Sequence, residues 1–113
     1  MIELLLPLIG PVTQDPSPRH PAVDQACTLG APVRAMSNGY GRFEWDHYKG
    51  WTFIQETPEG EIRISHLKHK GVDRFYNVGE VFSACGNTGA YSTGPHLHVE
   101  APLHILRRVY YSF

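Results

Sequence analysis

The chain has 113 residues, 42% of them apolar and 19% charged, which suits one folded domain with a modest core and leaves no room for a second core of ordinary size. Ten basic and eleven acidic residues give a formal net charge of -1, so there is no global field to attract nucleic acid or an anionic membrane. No apolar run approaches the roughly 18 residues that a membrane span needs, and the outlier is histidine, present seven times.

From the N-terminus, Met1 to Gly10 is apolar but carries Glu3, lacks a basic start and is interrupted by Pro7 and Gly10. It does not read as a signal peptide, and the expectation is a chain made in the cytoplasm. Within it, Glu3 to Ile9 is the first predicted strand. Thr13 to Pro21 holds Pro16, Pro18 and Pro21, which resist both helix and sheet ladder, so it reads as a loop delivering His20. Asp24 follows four positions later, and both are good zinc ligands, although a His and an Asp at this spacing also arise as an ordinary surface pair.

Further strands are expected over Ala31 to Met36, Tyr40 to Trp45, Trp51 to Gln55, Glu61 to His66, Val78 to Ala84 and Leu97 to Ala101. Trp51 to Ile64 reads as a hairpin around Pro58-Glu59-Gly60. Gly and Pro total 20 and no helical apolar period lasts three turns, so the fold class is all-β, a compact and mostly antiparallel sheet domain. Cys27 and Cys85 are too few for a disulfide framework and read as two free, partly buried thiols.

The most informative segment is Gly94-Pro95-His96-Leu97-His98-Val99-Glu100. On a strand, His96 and His98 share one face with α-carbons about 7 Å apart, while Leu97 and Val99 point into the core. His66 ends a predicted strand and, alone, would be an ordinary structural histidine. The glycine-rich Gly86-Asn87-Thr88-Gly89 and Ser92-Thr93-Gly94 permit close backbone approach; a phosphate loop would need the Lys and Ser/Thr of that motif, which are missing. The tail 101–113 is a C-terminal extension ending in Val109 to Phe113, either an edge strand or an interaction surface.

Taken together, His20 and Asp24, Gly30-Ala31-Pro32-Val33-Arg34-Ala35, Ser65-His66-Leu67, Gly86-Asn87-Thr88-Gly89, Ser92-Thr93-Gly94 and His96-Leu97-His98 resemble the LytM and lysostaphin-type zinc metallopeptidases of peptidoglycan, over about residues 6–100. Ala22 stands where that family usually has Gly, Ile64 where Tyr is common, and 71–77 is poorly matched.

The resemblance implies one Zn2+ held by His20, Asp24 and His98, with His66 and His96 flanking the reacting water as base and electrostatic partner in an order the sequence leaves open. It also implies a zinc site in a loop-walled groove, with Tyr40, Tyr91 and Trp51 as candidate lining residues, and a peptidoglycan peptide as substrate, either stem or cross-bridge. The expected role is a phage-type lysin or tail-associated wall hydrolase acting at the bacterial cell wall. Two alternatives are a non-catalytic wall-binding or activator module on the same fold, which would show a broken ligand set, and a zinc-stabilised domain, which would need Cys27 or Cys85 as a fourth ligand.

Overall fold

The computed structural model describes residues 2–111. Nine strands and one helix follow in the order β1 (Val12–Gln14), β2 (Ala22–Ala26), β3 (Pro32–Arg34), β4 (Gly39–Asp46), β5 (Gly50–Thr57), β6 (Gly60–Leu67), β7 (Arg74–Tyr76), β8 (Val81–Ala84), β9 (His96–Glu100) and α1 (Leu103–Tyr111). Seven strands make one antiparallel sheet in the order β1-β2-β9-β6-β5-β4-β7, and β3 pairs with β8 in a second, two-stranded sheet. The mostly antiparallel β architecture expected from the sequence is what the chain adopts.

Alternation along the strands decides which face is buried. Val23, Phe53, Ile62, Ile64, Leu97 and Val99 send their side chains into the core, where Met36, Tyr76 and Phe82 meet them. Phe53 stacks on Phe82 with centroids 3.8 Å apart and lies edge-on to Tyr76 at 5.3 Å. The opposite face carries Asp24, His98 and Ser65 in one cross-strand row, since Asp24 pairs with His98 on β2 and β9 and His98 with Ser65 on β9 and β6.

Four expectations need correction. Glu3 to Ile9 is not a strand: Pro7 and Gly10 break the ladder, and the segment is tied instead by Leu5 N–H to Met36 O at 2.9 Å and by the buried Gln25 amide to Leu8 O and Gly10 O at 2.9 and 3.0 Å. The proline-rich stretch is bracketed by β1 and β2, and residues 71–77 contain β7, none of which the sequence reading had assigned. The tail is not an edge strand but helix α1, whose Ile105 and Leu106 are buried and whose Tyr110 hydroxyl donates to Gln25 Oε1 at 3.0 Å; Ser112 and Phe113 lie outside the described residues.

Finally, Cys27 and Cys85 are not free thiols but form a disulfide with α-carbons 6.2 Å apart, within the range that geometry allows. Cys27 directly follows β2 and Cys85 directly follows β8, points that only the tertiary fold brings together. Among the described residues, no helix is long and apolar enough to cross a membrane.

Candidate active site

Asp24 and His98 face each other because β2 and β9 pair in antiparallel register there. His98 Nδ1 lies 2.7 Å from Asp24 Oδ1, and His98 Nε2 lies 3.0 Å from Glu100 Oε1, the carboxylate two residues along on the same face. Lys49 Nζ donates to that same Glu100 oxygen at 2.7 Å. The His98 hydrogen bond and the Lys49 ammonium together hold the Glu100 carboxyl at about 2, against the upward push of burial. For His98, burial alone would lower the pKa, but the two carboxylates outweigh it and leave the imidazole above its ordinary value.

Across the cavity stand His66 and His96, ring centroids 4.6 Å apart. His66 is 4% exposed and sits at φ 63°, a left-handed conformation uncommon outside glycine. Three contacts fix it there. Its backbone N–H donates to Lys49 O at 2.7 Å, its Nδ1 lies 2.7 Å from Thr88 O, and the Thr88 hydroxyl donates to Leu67 O at 2.6 Å. A carbonyl only accepts, so Nδ1 carries the proton and Nε2 keeps its lone pair. Burial pushes the His66 pKa down, although the Thr88 carbonyl opposes the shift, so the neutral form is favoured. His96 follows the same rule, with Nδ1 2.8 Å from Gly94 O.

The glycine-rich loop positions Thr88. Gly89 has φ +91°, and a Cβ on it would lie 2.4 Å from the Gly50 nitrogen and 2.5 Å from Tyr48 O, so only glycine lets this loop press on the β4–β5 turn. That turn is closed by Asp46 Oδ1, which accepts Tyr48 N–H at 2.8 Å and Lys49 N–H at 2.9 Å.

Asp24, Lys49, His66, Tyr91, His96 and His98 enclose a cavity of about 170 Å³. Two larger, more open depressions flank it, one of about 430 Å³ past His20 toward Glu61 and Arg63, the other of about 280 Å³ past His96 toward Thr93 and Thr13. Of the three aromatic residues considered for the groove, Tyr91 lines the central cavity; Tyr40 and Trp51 do not.

Four of the five candidate residues therefore gather in one cavity. His20 is apart: it lies on the exposed loop, pinned by reciprocal backbone bonds to Ser17 at 3.0 Å, with its ring 5.9 Å from that of His98. Among the described residues no three His, Cys, Asp or Glu side chains close into a chelating group. The donor chemistry nevertheless suits a transition metal with an open position: two imidazoles and one carboxylate, the His98 Nδ1 and Asp24 oxygen aimed at one another, and a carboxylate on the other nitrogen of His98. The disulfide removes both cysteines as ligands, which takes away the fourth donor a closed structural zinc site would require. Lys49 and Glu100 were missed by sequence reading; Glu100 shares a face with His98 at two-residue spacing, whereas nothing local marked Lys49.

No family model matches the chain. Over 85 residues it is 35% identical to the DD-carboxypeptidase/endopeptidase Mpg of Neisseria meningitidis, a match covering 73% of this chain and 20% of that protein. It superposes on a peptidase M23 of Pseudomonas aeruginosa with TM-score 0.77 and 26% identity, covering 89% of this chain and 45% of that one. The chain is similar in sequence and fold to the lysostaphin-type, or M23, peptidases. The catalytic domain of lysostaphin from Staphylococcus simulans matches at TM-score 0.64 and 28% identity, over 73% of this chain and 65% of that one. A zinc-containing peptidase of Vibrio cholerae matches at 0.74 and 25%, over 85% and 35%. The chain spans about a fifth of the length of the curated relatives it matches, 20% in each case.

Proposed function

We propose that this domain is a zinc-dependent endopeptidase that hydrolyses peptide bonds of bacterial peptidoglycan, in the stem peptide or the cross-bridge. The observation that carries the reading is the facing of two pairs across one small cavity: Asp24 with His98, and His66 with His96, each of the latter two directing its Nδ1 at a backbone carbonyl. The Neisseria relative's name supports the bond class, and the Vibrio structure's description supports the metal.

His20, Asp24 and His98 would hold the ion, which supplies Lewis-acid polarisation of the scissile carbonyl and a water of lowered pKa. His66 is suited to take the proton of the attacking water, since it is buried, neutral and rigidly held with Nε2 unprotonated. His96, half-buried at the rim, is placed to hydrogen-bond the developing oxyanion or return the proton to the leaving amine. The depressions on either side of the cavity leave space for an extended chain to lie across it.

The Cys27–Cys85 bond supports work outside a reducing cytoplasm. That accords with action at the cell wall, as a lysin released at host lysis or a virion-associated hydrolase. The test is digestion of purified peptidoglycan with and without chelator, with zinc restored, analysed by mass spectrometry beside His98→Ala. New amine and carboxyl ends that require zinc and His98 are expected. Stoichiometric zinc binding with no cleavage of any wall type would instead establish a binding module.

A further inference from the structure

We propose that Glu100, anchored by Lys49, is a positioning residue that presents His98 to the metal in the required tautomer. The proposal rests on the zinc-peptidase reading above but concerns residues outside the five with assigned roles.

Three contacts run in series: Lys49 Nζ to Glu100 Oε1 at 2.7 Å, Glu100 Oε1 to His98 Nε2 at 3.0 Å, and His98 Nδ1 to Asp24 Oδ1 at 2.7 Å. A neutral imidazole has one N–H and one lone pair. In the metal-free chain both ring nitrogens face carboxylate acceptors and donate to them; once an ion takes the place of the Nδ1 proton, the proton that remains is the one on Nε2, donated to Glu100, and the Nδ1 lone pair is left for the metal. His66 and His96 are oriented through backbone carbonyls, so His98 alone of the three depends on a side chain for this choice.

Glu100 has a competing partner, because Arg63 is its cross-strand neighbour on β6. Two features turn it toward His98 instead. Arg63 Nε is taken by Glu61 Oε1 at 2.6 Å, and Lys49 donates to the very oxygen that His98 meets. Lys49 reaches the site from the β4–β5 turn, where Asp46 fixes its backbone and its own carbonyl holds His66 N–H. One residue thus steadies both sides of the cavity.

The test uses the full, oxidised chain. Zinc affinity is read by competition with a chromophoric chelator, and the His98 ring is followed by 15N–1H long-range correlation in the zinc-loaded protein. Glu100→Ala is expected to lose 10–100-fold in zinc affinity, and its His98 Nε2–H signal should broaden into exchange with water. Glu100→Gln, which still offers an acceptor oxygen, should retain most of the affinity. Lys49→Met should lose several-fold, and Lys49→Arg should recover it. Thermal melts within a few degrees of wild type keep folding out of the comparison, and both carboxylate and ammonium are partly exposed, at 28% and 37% of their side-chain surface. Wild-type zinc binding with Glu100→Ala unchanged in affinity and ring signal overturns the positioning role alone; a wild-type chain that takes up no zinc overturns the metal reading and this proposal with it.

Discussion

Removing the Cys27–Cys85 bond should lower the melting temperature by about 15–20 °C. The bond links residues 58 apart in sequence. In the chain-entropy account, a loop of that size restricts the unfolded ensemble by about 14 cal/mol/K, or about 4 kcal/mol at 25 °C. Unfolding entropy near 2.1 cal/mol/K per residue gives about 240 cal/mol/K for a chain this long, and the ratio sets the shift. Cys27→Ala is the cleaner perturbation, because Cys27 is half-buried while Cys85 is fully buried and its thiol stays in place as packing. Calorimetry of the variant, beside wild type with and without reductant, reads the effect. A fall of less than 5 °C in the variant would refute the entropic account and mean that the strands already restrain the unfolded chain. Activity should fall further than stability, since Asp24 lies three residues before Cys27 and Thr88, which holds His66, lies three after Cys85.

His66→Ala should reduce kcat 10²- to 10⁴-fold while still binding one zinc, as checked by metal analysis of the purified variant beside its peptidoglycan turnover. Acidification should weaken the fold through His66: its pKa is depressed in the folded chain, so its stabilising contribution is complete above about 6.5 and is lost as pH falls toward the folded value. His98, raised by its carboxylates, contributes with the opposite sign, so the comparison of guanidinium midpoints at pH 7.5 and 5 must set wild type against His66→Asn, in which the acid loss should shrink. Gly89→Ala should cost about 2 kcal/mol or more, from a forced left-handed alanine and a clash with the Gly50 backbone, and should depress turnover beyond what its melting curve explains.

The half of the site built on β9 was legible because alternation alone places His96 and His98 on one face and Leu97 and Val99 on the other, which is how they lie. The β5–β6 hairpin was likewise written in β-branched residues around a Pro-Glu-Gly turn. What failed shares a physical cause: those features are decided by contacts distant in sequence. The five-residue β2 between a proline-rich loop and Cys27 has too little length for periodicity to declare it, and pairing with β9 creates it. Helix α1 did carry a signal, with Ile105, Leu106, Val109 and Tyr110 at helical spacing after Pro102, but its aromatic, β-branched end left edge strand and interaction surface both open, and it is the core that supplies a surface for the apolar stripe. The disulfide and the Lys49 contact join points 58 and 51 residues apart, where local pattern is silent.

The left-handed backbone at His66 sets engineering of this domain against itself. An L-residue with a side chain pays roughly 1–2 kcal/mol to sit there, and glycine would relieve it. A screen for thermal tolerance alone would therefore be drawn to position 66 and enrich relaxed variants that have lost the buried imidazole. Selection for improved robustness needs a catalytic readout in every round, or position 66 held fixed from the outset.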